Sequence, residues 1–171
     1  MAKRISLREF QEDLVRRFAE ARTGDRRTLL GVQAGNDNWL IDLTDTGEIL
    51  PVPPLTPVPL TLDWFRGLAN VRGTLFSVVD FSAFHRGPPI LPTGPARLLL
   101  VGLRHGANCA LLVSRAAGLR SPEDFQAEDE PARDERPWVQ ARLRDSRDQP
   151  WLKLDVPKLL AHRGFLHVGI D

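Results

Sequence analysis

Side chains able to do chemistry are few and scattered in this chain of 171 residues. There are four histidines, His85, His105, His162 and His167. His162 and His167 are five apart, which does not put both on one helical face for a metal. His85 and His105 fall in loops and read as exposed or locally bonded. The single cysteine, Cys109, opens an apolar run and reads as a buried structural thiol rather than a nucleophile. A lone cysteine also excludes an intramolecular disulfide and argues against a structural zinc site. Crowded carboxylates occur only in 121–136, where seven acids face Arg133 and Arg136. That stretch offers no apolar pocket to raise a carboxyl pKa and lacks the alternating pattern of a calcium loop. It reads as a solvated loop. No phosphate-cradling glycine loop and no Gly-x-Ser-x-Gly elbow is present. No cofactor is expected, although a site assembled from distant residues leaves no mark on sequence. The stretch that stands out is Trp64 to Phe84, where Asn70-Val71-Arg72-Gly73 leads into strand formers ending at Asp80. It reads as a corner between a short apolar turn (Trp64, Phe65, Leu68) and a strand, presenting Arg72 to grip something rather than to catalyse.

The elements that must position this corner follow from periodicity. Ser6-Leu7-Arg8-Glu9 fits a capping box, and Leu7, Phe10, Leu14, Phe18 and Ala21 recur at helical spacing. An amphipathic helix over Leu7–Arg22 is expected, either packed on its own domain or serving as a docking arm. From Thr28 the period changes. Two short apolar runs, 28–33 and 38–43, flank a turn at Ala34–Asp37 and form a hairpin. Asp45-Thr46-Gly47 makes another turn. Five prolines between Pro51 and Pro59 deny that piece a central sheet position, so it is an edge or connector lying on the core. His85 to Ala96 is a proline-rich loop. Residues 97–103 and 108–113 form a second hairpin, its Leu98-Leu99-Leu100-Val101 run buried on both faces. Residues 137–145 and 149–154 form a third, anchored by Trp138 and Trp151. Asp155 caps a short helix ended by Gly164, and Phe165–Ile170 is extended.

Composition sets the class. Lysine plus arginine total 23 against 22 acids, a net charge of +1 without the basic excess of a nucleic-acid or membrane-surface binder. No apolar run reaches the roughly 18 residues of a membrane span. A cytoplasmic protein is expected. Fourteen prolines and thirteen glycines predict many short strands and corners, a mostly β fold.

The ordered set Ile41-Asp42, Gly47-Glu48-Ile49-Leu50, Pro57-Val58-Pro59, Phe65 to Gly73 and Phe76 to Phe81 resembles the CheW family of chemotaxis coupling proteins. The N-terminal helix and the ending resemble most the PilI branch, which serves type IV pilus twitching motility. The resemblance implies two small SH3-like β-barrels sharing a hydrophobic core over 27–171, with the helix of 1–26 and a short C-terminal helix added. It implies a non-enzymatic adaptor between the cytoplasmic tip of a methyl-accepting chemoreceptor and the regulatory domain of a CheA-type histidine kinase, recruited to membrane-anchored receptor arrays. The alternative is a small β-barrel enzyme or ligand-binding protein on the same fold. Position by position, the resemblance puts receptor contact at Arg72 and Gly67, with Leu98 and Leu99 beside the groove between the barrels, and kinase contact at Glu48 and Ile49. Ser114 stands where the family pattern has an aspartate.

Overall fold

The computed structural model describes Gln11, Glu12, Val15, residues 28–128 and residues 134–170. Apart from Gln11, Glu12 and Val15, the expected N-terminal helix lies outside the described residues. The rest is two six-stranded sheets. The chain begins the first sheet with β1 (Leu29–Ala34) and β2 (Asp37–Asp42). It then builds the whole second sheet from β3 (Thr46–Pro51), β4 (Leu55–Thr56), β5 (Phe65–Val71), β6 (Thr74–Asp80), β7 (Arg97–Val101) and β8 (Cys109–Val113). It returns to finish the first with β9 (Arg115–Arg120), β10 (Phe125–Ala127), β11 (Val139–Asp145) and β12 (Pro150–Leu154). Strand orders are β10-β11-β12-β2-β1-β9 and β3-β7-β8-β6-β5-β4. Most pairs are antiparallel; β12 with β2 and β6 with β8 are parallel.

Alternation along β1 and β2 explains how one sheet serves two cores, because successive side chains point to opposite faces. Leu30, Val32, Trp39 and Ile41 join Val78, Leu98, Leu99 and Leu111 of the other sheet in one large cluster. Leu29 and Leu40 face the other way, against Phe125 and Trp151. The large cluster is therefore shared by both sheets. β7 and β8 are buried almost throughout, as the unbroken apolar runs predict.

Four local expectations are corrected. The supposed turn at Trp64–Leu68 is mostly strand: β5 pairs with β6 from Phe65↔Val79 to Val71↔Thr74. The turn placed at Asp45–Gly47 closes two residues earlier, in a 3-10 turn over Leu43–Asp45, so Thr46 already opens β3. The acidic stretch 121–136 holds a 3-10 turn, Pro122–Asp124, and strand β10, because Phe125 has a core to enter. Gly164 does not end the C-terminal helix. That helix, Val156–Ala161, is capped by Asp155, which accepts from the Lys158 N–H at 3.0 Å. A second turn, Arg163–Leu166, starts on His162, whose Nδ1 accepts from the Gly164 N–H at 3.1 Å. Phe165 and Leu166 are therefore helical rather than extended.

Candidate functional site

The corner carrying Arg72 is the two-residue tip of the β5–β6 hairpin. Arg72 and Gly73 have φ of +50° and +86°, the pair of left-handed conformations that a tight hairpin turn matches to strand twist. Glycine adopts this freely and arginine does not, so Arg72 holds a strained position. The Asn70 side chain closes the turn, its Oδ1 accepting from the Gly73 N–H at 2.8 Å.

From that tip Arg72 reaches back to edge strand β3. Its Nη1 donates to Glu48 Oε1 at 3.0 Å and its Nη2 to Glu48 Oε2, a fork-to-fork pair. The guanidinium holds the Glu48 carboxyl below its ordinary pKa. The residues expected to meet two different partners thus form one ion pair. They rim an open groove of about 430 Å³ floored by Val71, Phe76 and Leu100. Ile49 follows on β3, 36% exposed, and Leu75 and Leu103 lie exposed nearby.

Gly67, Leu98 and Leu99 are placed differently from expectation. Leu98 and Leu99 are 0% exposed, so they offer a partner no surface; an unbroken apolar run cannot distinguish groove lining from core. Gly67 is buried at a bulge in β5, with φ +105° and the backbone of Thr56 and Pro57 packed on it. Leu98 and Leu99 lie on β7 between β3 and β8, and Gly67 seats β4 against β5.

The residue that sequence reasoning passed over is Asp80, at the end of β6 and 1% exposed. Its Oδ1 accepts from the N–H groups of Ser82 (3.1 Å) and Ala83 (2.9 Å), and its Oδ2 from that of Ile90 (2.8 Å) and from Arg66 Nη1 (3.3 Å). Arg66 also donates to the Ile90 carbonyl at 3.0 Å. This hub pins the proline-rich loop to both strands of the hairpin. The signal was an aspartate at a strand end two residues before a serine, the pattern of a local side-chain turn.

Comparison with known proteins adds to this geometry. The CheW-like domain model matches residues 28–164, which span both sheets and include the β5–β6 hairpin. The chain belongs to the CheW-like family. The curated relatives similar to this CheW-like chain include Protein PilI of Pseudomonas aeruginosa, 29% identical over 144 residues, covering 82% of this chain and 79% of the relative. Chemotaxis protein CheW of Rhizobium meliloti is also 29% identical, over 97 residues and 57% of each chain. Among solved structures, the scaffolding protein TtCheW of Thermoanaerobacter tengcongensis superposes with a TM-score of 0.66, covering 82% of this chain and 96% of that one. At 16% identity this likeness speaks for the fold alone. Where the family pattern has aspartate, Ser114 sits at the crossing from β8 to β9. Its Oγ accepts from the Gly35 N–H at 2.9 Å and its N–H donates to the Gln33 carbonyl at 2.7 Å, tying the crossing to the β1–β2 turn.

None of the chemistry-bearing side chains of the CheW-like chain assembles into a metal cluster among the described residues. Cys109 is buried, and burial pushes its thiol up to about 12. His105 meets Asp45 at 2.9 Å. His85, expected in a loop, is built into an aromatic cluster with Trp39, Phe81, Phe84 and Trp138. Its Nε2 accepts from Trp138 Nε1–H at 3.0 Å, so the ring proton is on Nδ1 and donates to the Phe81 carbonyl at 2.6 Å. Burial lowers its pKa from 6.5 to about 4, helped by Arg136 and opposed by the Phe81 bond and by Asp37 and Asp134.

The sign of the stability effect follows. Between the two values an unfolded chain takes up a proton that the native ring refuses, so stability falls as pH drops from about 6.5 to about 4. The slope is about 1.4 kcal/mol per pH unit. Urea unfolding at pH 6.5 and 4.5 is expected to show this loss in the natural chain and to lack that share of it in His85→Asn. Equal losses in both would refute it.

Proposed function

We propose that this CheW-like chain is a non-enzymatic adaptor joining a methyl-accepting receptor tip to the regulatory domain of a CheA-type histidine kinase, in chemotaxis-type signalling of the type IV pilus. Similarity to PilI supports the pilus setting. The observation that carries the reading is the exposed Arg72–Glu48 pair at the rim of an apolar groove, on a hairpin tip beside a sheet edge. Sheet edges accept a partner's strand and apolar grooves accept helices. The coupling role is assigned to residues 27–171, within which the CheW-like model matches 28–164. No described helix is long and apolar enough to cross a membrane, and a cytoplasmic place at receptor arrays fits the role.

Calorimetric titration with the kinase regulatory domain from the same cell tests this. Saturable micromolar binding, about −8 kcal/mol, is expected. A folded sample that gives no heat and no co-migration refutes it and turns attention to the enzyme or ligand-binding alternative.

Arg72 is assigned to the receptor and Glu48, with Ile49, to the kinase. Exposed ion pairs add little stability, so Arg72→Ala should leave the melting temperature within a few degrees. Receptor affinity should fall roughly tenfold or more, as for an arginine at an interface centre. Glu48→Lys should weaken the kinase instead. The swapped pair Glu48→Arg with Arg72→Glu restores the internal attraction but should rescue neither partner. A lowered melting temperature with both affinities intact would make the pair purely structural.

A further inference from the structure

The first sheet holds a second concave site, away from the Arg72 hairpin. A cavity of about 440 Å³ opens between β9, the turn before β10 and the β11–β12 hairpin turn. Arg115, Arg120 and Arg147 line it, with Asp124, Asp145 and Trp151. Arg115 and Arg120 begin and end β9, five residues apart, and in a regular strand would point to opposite faces. They converge because Gly31 pairs with Gly118 and Val32 with Ala116, so Ala117 is an extra residue and the alternation slips.

Two of the guanidiniums are held by neutral partners. Arg115 Nε donates to Gln33 Oε1 at 2.6 Å. Arg120 Nε and Nη2 donate to the Ala117 carbonyl at 3.3 and 3.1 Å, and its plane lies over the Trp151 ring, 5.4 Å from the centroid. Trp151 is fixed in turn, its Nε1–H donating to Asp145 Oδ2 at 3.0 Å. No described carboxylate pairs directly with these arginines, but hydrogen bonds from Gln149 and Trp151 hold the Asp145 carboxyl below the usual range, and the charge of Arg120 adds to them. Asp145 Oδ1 accepts from the N–H groups of Arg147 and Gln149, both at 2.9 Å, and Asp124 Oδ2 accepts from the Ser121 N–H at 3.4 Å. Among the described residues no salt bridge engages Arg115, Arg120 or Arg147. Three cations with spare N–H groups thus face one cavity, two of them held in place.

We propose that this cavity binds a small anion through a phosphate group. Guanidinium forks match phosphate oxygens two at a time, and three arginines lining one cavity suit a tetrahedral anion better than a planar carboxylate. The volume falls in the range of small-molecule sites. Neither the coupling role nor the groove at Arg72 is needed for this reading, which stands on the arginine geometry alone.

Trp151 is the reporter. Its indole N–H resonance in the 15N-labelled full chain, identified by its loss in Trp151→Phe, is followed during titration at ionic strength held constant with sodium chloride. Inorganic pyrophosphate and ADP are the probes. A saturable shift with either is expected, with affinity lowered roughly tenfold in Arg120→Gln and in Arg115→Gln, as for loss of a charge-assisted contact. Saturation with pyrophosphate alone identifies a free inorganic anion; saturation with both admits an organic carrier. A shift that never saturates, or one that both variants leave unchanged, overturns the proposal. Arg115→Gln removes only an exposed side chain and its exposed bond to Gln33, so it remains readable if Arg120→Gln disturbs the sheet.

Discussion

Asp80→Ala is expected to lower the free energy of unfolding by about 3–5 kcal/mol, as for removing one partner of a buried charged pair. The carboxylate is 1% exposed and serves three backbone N–H groups and Arg66. Truncation strands the N–H groups of Ser82 and Ile90 in the interior, each costing about 1–3 kcal/mol if nothing replaces the acceptor. It also leaves Arg66, whose side chain is 27% exposed, without its counter-charge, although the Ile90 carbonyl still accepts from it. Asp80→Asn should cost less. Its amide oxygen can still serve Ser82 and Ala83, but its NH₂ would confront the Ile90 N–H. Urea unfolding at neutral pH, with the midpoint falling at unchanged slope, is the measurement. A loss under about 1 kcal/mol for Asp80→Ala would mean that water enters and takes over the acceptor role, against the packing described. The result bears on function because the hub anchors the base of the hairpin whose tip holds Arg72. A variant there should weaken every partner together, unlike Arg72→Ala.

The same contrast shows what could be read from the chain and what could not. The β1–β2 hairpin was legible as two short apolar runs around a polar turn, and β11–β12 through its anchors Trp138 and Trp151. So were β7 and β8, as unbroken apolar runs. Strand β5 was not, because Arg66, Gly67 and Asn70 interrupt its pattern and the bulge at Gly67 shifts the alternation by one residue. Strands β9 and β10 lie at the two edges of the first sheet, where little burial is asked of them. Arg-Ala-Ala-Gly-Leu-Arg carries almost no periodic signal, and Phe125 alone marks β10 inside a run of acids. At the site, Arg72 was visible as an arginine before a glycine at a strand end. Its pairing with Glu48, 24 residues earlier, depends on β3 and β6 being held near each other through β7 and β8. His85 looked like a loop histidine because its aromatic neighbours come from Trp39 and Trp138, far away in sequence.

Gly67→Ala is expected to remove binding of both partners by unseating the hairpin. At φ +105° the residue lies where side chains are seldom tolerated, a strain of about 1–3 kcal/mol. Space is also lacking. A Cβ there would fall on the Thr56 carbonyl oxygen and come within 2.7 Å of its carbon and 2.9 Å of Pro57 Cα. These are backbone atoms, so no side chain can swing aside. Strand β4 must move instead, and it has only two residues, paired as Leu55↔Ala69 and Thr56↔Leu68 at the sheet edge. Strain plus loss of that pairing is on the order of 3 kcal/mol, which lowers the melting temperature by roughly 6–12 °C in a domain of this size. Thermal melts beside titrations with receptor tip and kinase domain test it. The expected signature is a lowered melting temperature with both affinities reduced, the reverse of Arg72→Ala. An unchanged melting temperature with only receptor affinity lost would return Gly67 to the contact surface. It would also require β4 to lie off β5 in solution, since with β4 in place no surface at Gly67 is open to a partner.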